Sequence, residues 1–160
     1  MAKTTSFAIL APVPEMHLLS ALETMDKLEN ELSDETIKIA FGSMAFEVFR
    51  KADELRSEKT VEVLIYASES EIDQPLNSEA SWRGLYIGHA NSRNGRYAGK
   101  SKFRPPSSAT DKPRWAVFWE VQELTRLKTP IAIASLKALG KKTNFVSRLI
   151  PEEPMLIEYY

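Results

Sequence analysis

Two kinds of side chain, aromatic rings and cations, crowd one part of this sequence in a pattern that suits chemistry. Trp82, Tyr86, Tyr97, Phe103, Trp115, Phe118 and Trp119 bracket or interleave with Arg83, Arg93, Arg96, Lys100, Lys102 and Arg104. Flat rings present stacking faces to bases, and guanidinium and ammonium groups present charged donors to phosphates. The charge is local. The 160-residue chain has a formal net charge of −1. Residues 15–80 carry 16 acidic and 6 basic side chains, net −10, whereas 83–114 carry eight basic ones against Asp111 alone, net +7. A basic loop on an acidic body suits a polyanion. It equally suits a loop kept solvated by its own charge.

Catalytic chemistry is sparse by comparison. His17 and His89 are the only histidines, without metal-ligand spacing around them. No cysteine is present, which removes disulfides, thiolate ligands and a cysteine nucleophile, and fits a reducing cytoplasm. The sequence holds no G-x-S-x-G, P-loop or G-x-G-x-x-G pattern. Glu69, Glu71 and Asp73 stand at two-residue spacing, a pattern open to a metal but usual in a solvated loop. The expectation is therefore no catalytic residue, no metal and no cofactor: a binding protein rather than an enzyme. No stretch approaches the roughly 18 apolar residues of a membrane span. The short run Phe7 to Leu10, soon broken by Pro12 and Pro14, does not make a signal peptide. A soluble, cytoplasmic chain forming one domain over 1–160 is expected.

The elements that must position these groups follow from periodicity. Thr5 to Val13 reads as a strand ended by the Pro12-Val13-Pro14 turn. Leu18, Leu22, Met25, Leu28 and Leu32 recur at helical spacing, predicting a helix over Glu15 to Leu32. Ile37 to Phe41 is extended. Ser43 is placed as the N-cap of a helix from Met44 to about Arg56. Val61 to Ala67 is nearly all apolar, as befits a central strand. Strands follow at Ser81–Gly88, Arg114–Val121 and Leu124–Ile131, then a two-turn helix over Ala132–Leu139 closed by Gly140, and a last strand at Met155–Tyr159. The basic loop, 91–113, is longer than an ordinary hairpin connection, which marks it as functional or disordered. By alternation Trp115, Val117 and Trp119 share one strand face and Ala116 and Phe118 the other. Trp119 is expected to pack inside, which leaves Trp82 and Trp115 as the better ring platforms.

This order of elements resembles the PUA-like superfamily, in particular the EVE and ASCH-type domains. The likeness rests on the strand Phe7–Leu10 running into prolines and on Tyr66-Ala67-Ser68 closing the hydrophobic strand. It extends through Arg83 to Ala90 and through Trp115 to Glu120 before Leu127-Lys128-Thr129-Pro130-Ile131. Residues Ala134–Leu139 and Phe145–Ile150 are similar to that family's short helix and closing strand. The chain departs from the family at Lys59-Thr60, where Gly-Asp is usual, and at Phe41-Gly42-Ser43, where an Asn-Tyr segment is usual. The resemblance implies a mixed α+β fold, a PUA-like β-barrel with peripheral helices and a pocket at the barrel mouth that takes a flipped or modified base. Base extrusion needs an aromatic-lined pocket and positive charge to hold the backbone.

The expected pocket is Phe41, Ser43, Tyr66, Ser68, Trp82 and Trp115, with phosphate contacts from Arg83, Arg93, Arg96, Lys100, Lys102 and Arg104. The partner expected is nucleic acid, DNA or RNA. The alternatives are a protein-interaction subunit that docks a basic partner on its acidic half, 15–80, a metal enzyme built on Glu69, Glu71, Asp73 and His89, and a pocket filled by its own side chains.

Overall fold

The computed structural model describes residues 2–31, 36–68, 78–108, 115–146 and 150–160. Six strands form one sheet: β1 (Ala8–Pro14), β2 (Ile39–Ser43), β3 (Val61–Ser68), β4 (Glu79–Asn91), β5 (Val117–Ala132) and β6 (Met155–Ile157). Two α-helices, α1 (Glu15–Asn30) and α2 (Phe46–Leu55), lie between β1 and β3. The sheet order is β2-β5-β4-β3-β1-β6. β1 and β3 are parallel, and every other neighbouring pair is antiparallel. The fold is thus mixed α+β, and its described pairings leave an open sheet with β2 and β6 as edges rather than a closed barrel.

All eight residues of β3 are buried, which is why that run reads as continuously apolar. Its odd-numbered side chains join Ile9, Ala11 and Val13 of β1 under Leu18 and Ala21 of α1 and Phe49 and Ala52 of α2. Leu64 and Tyr66 face the other way, into a second cluster with Ile133, Leu136 and Ile157. Helices cover one face and the C-terminal wrap covers the other. Each fully buried large side chain contributes about 1.5–3 kcal/mol. Pro12 and Pro14 belong to β1 and pair in register with Tyr66 and Ser68, so no turn forms there. The missing N–H groups are tolerated because β6 covers only Ala8–Leu10 and the rest of β1 is an edge on that side.

One long strand, β5, stands where the sequence suggests two. Arg83 pairs with Thr125 and Leu85 with Gln122, so three steps of β5 oppose two of β4. Glu123, at φ 52°, is the extra residue of this bulge. It resets the alternation: Val117, Trp119 and Val121 point into the first cluster, and so does Leu124. Gly84 sits opposite, and a Cβ there would collide with Val121. A second slip, between Tyr86 and Gly88, turns Tyr86 and His89 toward the same side, that of Phe49.

Other expectations are corrected. The helix over Ala132–Leu139 is a single 3-10 turn, Ile133–Ser135. Leu136 is then extended and buried, and Ala138 bridges to Ile157, so the backbone is held by sheet pairing instead of helical bonds. Ser43 is the last residue of β2 and not the helix cap; its Oγ accepts the Ala45 N–H at 3.0 Å. Helix α2 starts at Phe46. Phe145 and Val146 are not in a strand, and the rest of the expected closing strand before Ile150 lies outside the described residues, as do Leu32, the Glu69-Glu71-Asp73 run and residues 109–113 of the basic loop.

Candidate nucleic-acid interface

The basic loop leaves the end of β4 and is ordered by local turn chemistry. Asn94 (φ 56°) and Gly95 (φ 83°) form the centre of a tight hairpin, and Arg93 and Arg96 exchange backbone hydrogen bonds of 2.8 and 3.1 Å across it. Two successive residues at positive φ are the mark of a type I′ turn, for which Asn-Gly is the favoured pair. That dipeptide is a turn signal readable in the sequence, beyond the loop's length and charge. The hairpin holds both arginines at its base, exposed and side by side.

Three side chains tie the following residues to the body. The Tyr97 hydroxyl donates to Glu120, which also receives Lys38 at 3.0 Å, and the Tyr97 ring tilts against Phe118 at 5.4 Å. Arg104 donates from Nη1 to the Ala40 carbonyl and from Nη2 to the Ser108 carbonyl, both at 2.8 Å, and its guanidinium lies 4.9 Å from the Phe118 ring centre. Ser107 Oγ lies 2.7 Å from His17 Nδ1. The loop is therefore pinned to β5, to the edge strand β2 and to α1. Phe103 is buried between the ammonium groups of Lys38, at 5.2 Å, and Lys102, at 5.5 Å. Both are in cation–π range.

The expected phosphate contacts separate accordingly. Arg93, Arg96 and Lys100 are exposed and Lys102 is half-buried. Arg104 is only 7% exposed and turned onto backbone carbonyls, so it is a staple rather than a phosphate contact. Burial pulls its pKa down to about 10, which leaves it charged at neutral pH. Arg83 is elsewhere, 2.7 Å from the buried Glu62 carboxylate, which Lys3 also approaches at 3.4 Å.

The expected pocket residues do not converge as a set. Phe41 and Ser43 turn to one face of β2 and Trp115 covers the other, at Gly42. Phe41 packs against Trp119 at 5.1 Å. Trp115 N–H donates to Gly95 O and Ala116 N–H to Ser43 O, each at 3.1 Å. The half-buried Trp115 indole lies over Gly42, where a Cβ would collide with it. The ring is therefore bonded through its backbone to the arginine hairpin. Trp82 is a core residue, 3% exposed, with the Arg126 guanidinium 4.7 Å from its ring. Tyr66 faces the second core and donates to the Pro151 carbonyl. Ser68 is buried beside Pro14, at the opposite end of β3 from Val61, and its Oγ has no hydrogen-bond partner among the described residues.

His89 belongs to a separate polar cluster. Its Nδ1 lies 2.7 Å from Asp53 Oδ2 and 3.1 Å from the Tyr86 hydroxyl, while Arg56 Nε reaches Asp53 Oδ1 at 2.7 Å. Burial first, and the Asp53 charge next, push the Tyr86 hydroxyl well above its usual range. The cluster fastens the end of α2 to β4. Among the described residues no group of three or more His, Asp or Glu side chains is arranged to hold a metal. No described helix is long and apolar enough to cross a membrane. Set against protein-family profiles, curated proteins and solved structures, the chain has no significant match.

Proposed function

We propose that this chain is a non-enzymatic nucleic-acid-binding module of PUA-like character, with Trp115 as its base platform and Arg93, Arg96, Lys100 and Lys102 as its phosphate contacts. The observation that carries the reading is the hydrogen bond from Trp115 to Gly95, which joins a half-buried indole to the paired arginines of a pinned hairpin. A flat ring whose backbone is tied to a turn flanked by exposed arginines suits stacking with phosphate positioning. Gly42 lies beneath that platform, and a modified or flipped base is the ligand the family resemblance suggests for it. A closed barrel in the PUA-like manner remains part of this proposal.

Fluorescence anisotropy across a salt series, with labelled single- and double-stranded DNA and RNA with and without modified bases, tests the reading. The triple variant Arg93→Ala, Arg96→Ala, Lys100→Ala should weaken binding and lower the salt slope by about 3 for three lost phosphate contacts. Trp115→Ala should cost about 1–3 kcal/mol while leaving the slope in place. Wild-type affinity in the triple variant would overturn the loop's role. Absence of binding at low salt to any of these nucleic acids would transfer the case to a protein partner docking on the acidic half.

A further inference from the structure

A groove of about 570 Å³ lies on the C-terminal wrap, between the residues that follow the 3-10 turn and the last three of the chain. It shares no residue with the basic loop or with Trp115. Leu136, 2% exposed, belongs to both its lining and the second core cluster. One wall is Tyr159 and Tyr160, whose rings stack at 5.4 Å and 25°.

A buried ionic cluster lies near those rings. The Lys3 ammonium is 5.6 Å from the Tyr159 ring centre, and burial first, then the Glu62 carboxylate, whose side chain is 3% exposed, raise the Tyr160 hydroxyl above its ordinary pKa. Lys3 and Arg83 neutralise Glu62 in turn. Tyr160 keeps 46% of its surface open.

The rest of the lining is unbalanced in charge. Lys137 and Lys141 line the groove, and their ammonium groups have no ion-pair or hydrogen-bond partner among the described residues. Asn144, also in the lining, has an amide with no such partner. The acidic side chain of the lining, Glu158, uses Oε1 to accept the Gly140 N–H at 2.9 Å. Two cations and an amide without partners among the described residues, beside a stacked aromatic wall, define a ligand with an anionic end, a flat ring and hydrogen-bonding edges. The volume lies in the range of small-molecule sites.

We infer that this groove binds a nucleoside phosphate, with the base against the Tyr159–Tyr160 wall, the Asn144 amide on a base edge and the phosphate taken by Lys137 and Lys141. An inorganic anion alone would leave the ring wall without a role, and an aromatic neutral ligand would leave both ammonium groups unmatched. The inference is independent of the nucleic-acid reading of the loop.

Amide chemical shifts of the full chain, titrated separately with adenosine monophosphate, adenosine and inorganic phosphate, test it. The monophosphate should move residues 135–144 and 158–160 saturably, and adenosine and phosphate should each bind roughly tenfold or more weakly. The exposed pair Lys137→Ala, Lys141→Ala should weaken the monophosphate by at least about tenfold, and Tyr160→Leu should weaken it and abolish its advantage over phosphate. The Arg93, Arg96, Lys100 triple variant should bind it unchanged. Equal affinity for phosphate and monophosphate, shifts confined to the 93–104 loop, or no saturable shift in the groove would each overturn the assignment.

Discussion

Replacing Arg104 with methionine distinguishes a cation that builds the interface from one that touches the ligand. Methionine keeps an unbranched stem but removes the guanidinium from the Phe118 ring and leaves the Ala40 and Ser108 carbonyls without their donor. An acceptor buried without a partner costs about 1–3 kcal/mol, with Ala40 at the upper end and the partly solvated Ser108 at the lower, for a loss of about 3–4 kcal/mol. Against this stands relief of a desolvated charge. The fall of the Arg104 pKa from 12.5 to about 10 corresponds to a penalty of about 3 kcal/mol that the methionine variant escapes. The two nearly cancel, leaving a net destabilisation of about 1 kcal/mol for Arg104→Met, or about 2–4 °C in Tm. Arg104→Ala also surrenders the stem packing and should cost about 2–3 kcal/mol.

Urea unfolding gives the stability change, and salt-dependent anisotropy gives the contact count. A staple predicts lower stability, faster hydrogen exchange across residues 97–108 and a salt slope equal to the wild type's. A phosphate contact predicts unchanged stability and a slope lower by about 1. The second pattern would refute the burial argument. So would a methionine variant more stable than the wild type by over about 1 kcal/mol, because the two carbonyl bonds would then contribute nothing.

Two further outcomes follow from close packing and burial. Gly42→Ala drives a Cβ into the Trp115 indole, so it should cost about 1–3 kcal/mol, shift the tryptophan emission and weaken nucleic-acid binding as Trp115→Ala does. Unchanged emission and affinity would separate Trp115 from the platform role. The hydroxyls of Tyr86, Tyr97 and Tyr160 are all held above their ordinary value of 10.0, chiefly by burial. Above pH 10 the unfolded chain releases protons that the folded chain retains, so this contribution is whole below that pH and falls away above it. The fully buried Tyr86 alone removes about 1.4 kcal/mol per pH unit there. Absorbance at alkaline pH should show these rings ionising together with unfolding, and early, non-cooperative titration of all of them would contradict it.

The fold was legible wherever a single period ran unbroken and illegible wherever an extra residue changed its phase. Leu18, Leu22, Met25 and Leu28 keep helical spacing and lie along α1, and the apolar run of β3 is buried on both faces as a central strand must be. β5 defeats the same reasoning because Glu123 shifts the inward positions from odd to even. A period-2 pattern read across that point looks like two strands and a turn. The residues Ala132–Leu139 mislead for another reason: their helix-forming side chains are outweighed by backbone pairing with β6 through Ala138 and Leu139.

Charge is where sequence reading reaches least far, because some cations in the run have roles set by residues remote in the chain. Arg83 belongs to Glu62, across the β3–β4 pair. Arg104 belongs to a β2 carbonyl that lies 64 positions away. The Arg93–Arg96 pair is governed locally, by the Asn94-Gly95 turn, and it stands exposed on the turn that Trp115 bonds through its backbone. The net +7 of the 83–114 segment therefore overstates the field a ligand would meet, since Arg83 and Arg104 are committed to the protein itself. Conversely, Lys137 and Lys141 stand in a segment of ordinary charge, yet both line one groove and form no ion pair among the described residues. A cation's availability depends on what the fold places within about 4 Å of it, and the density of cations along the chain carries little of that information.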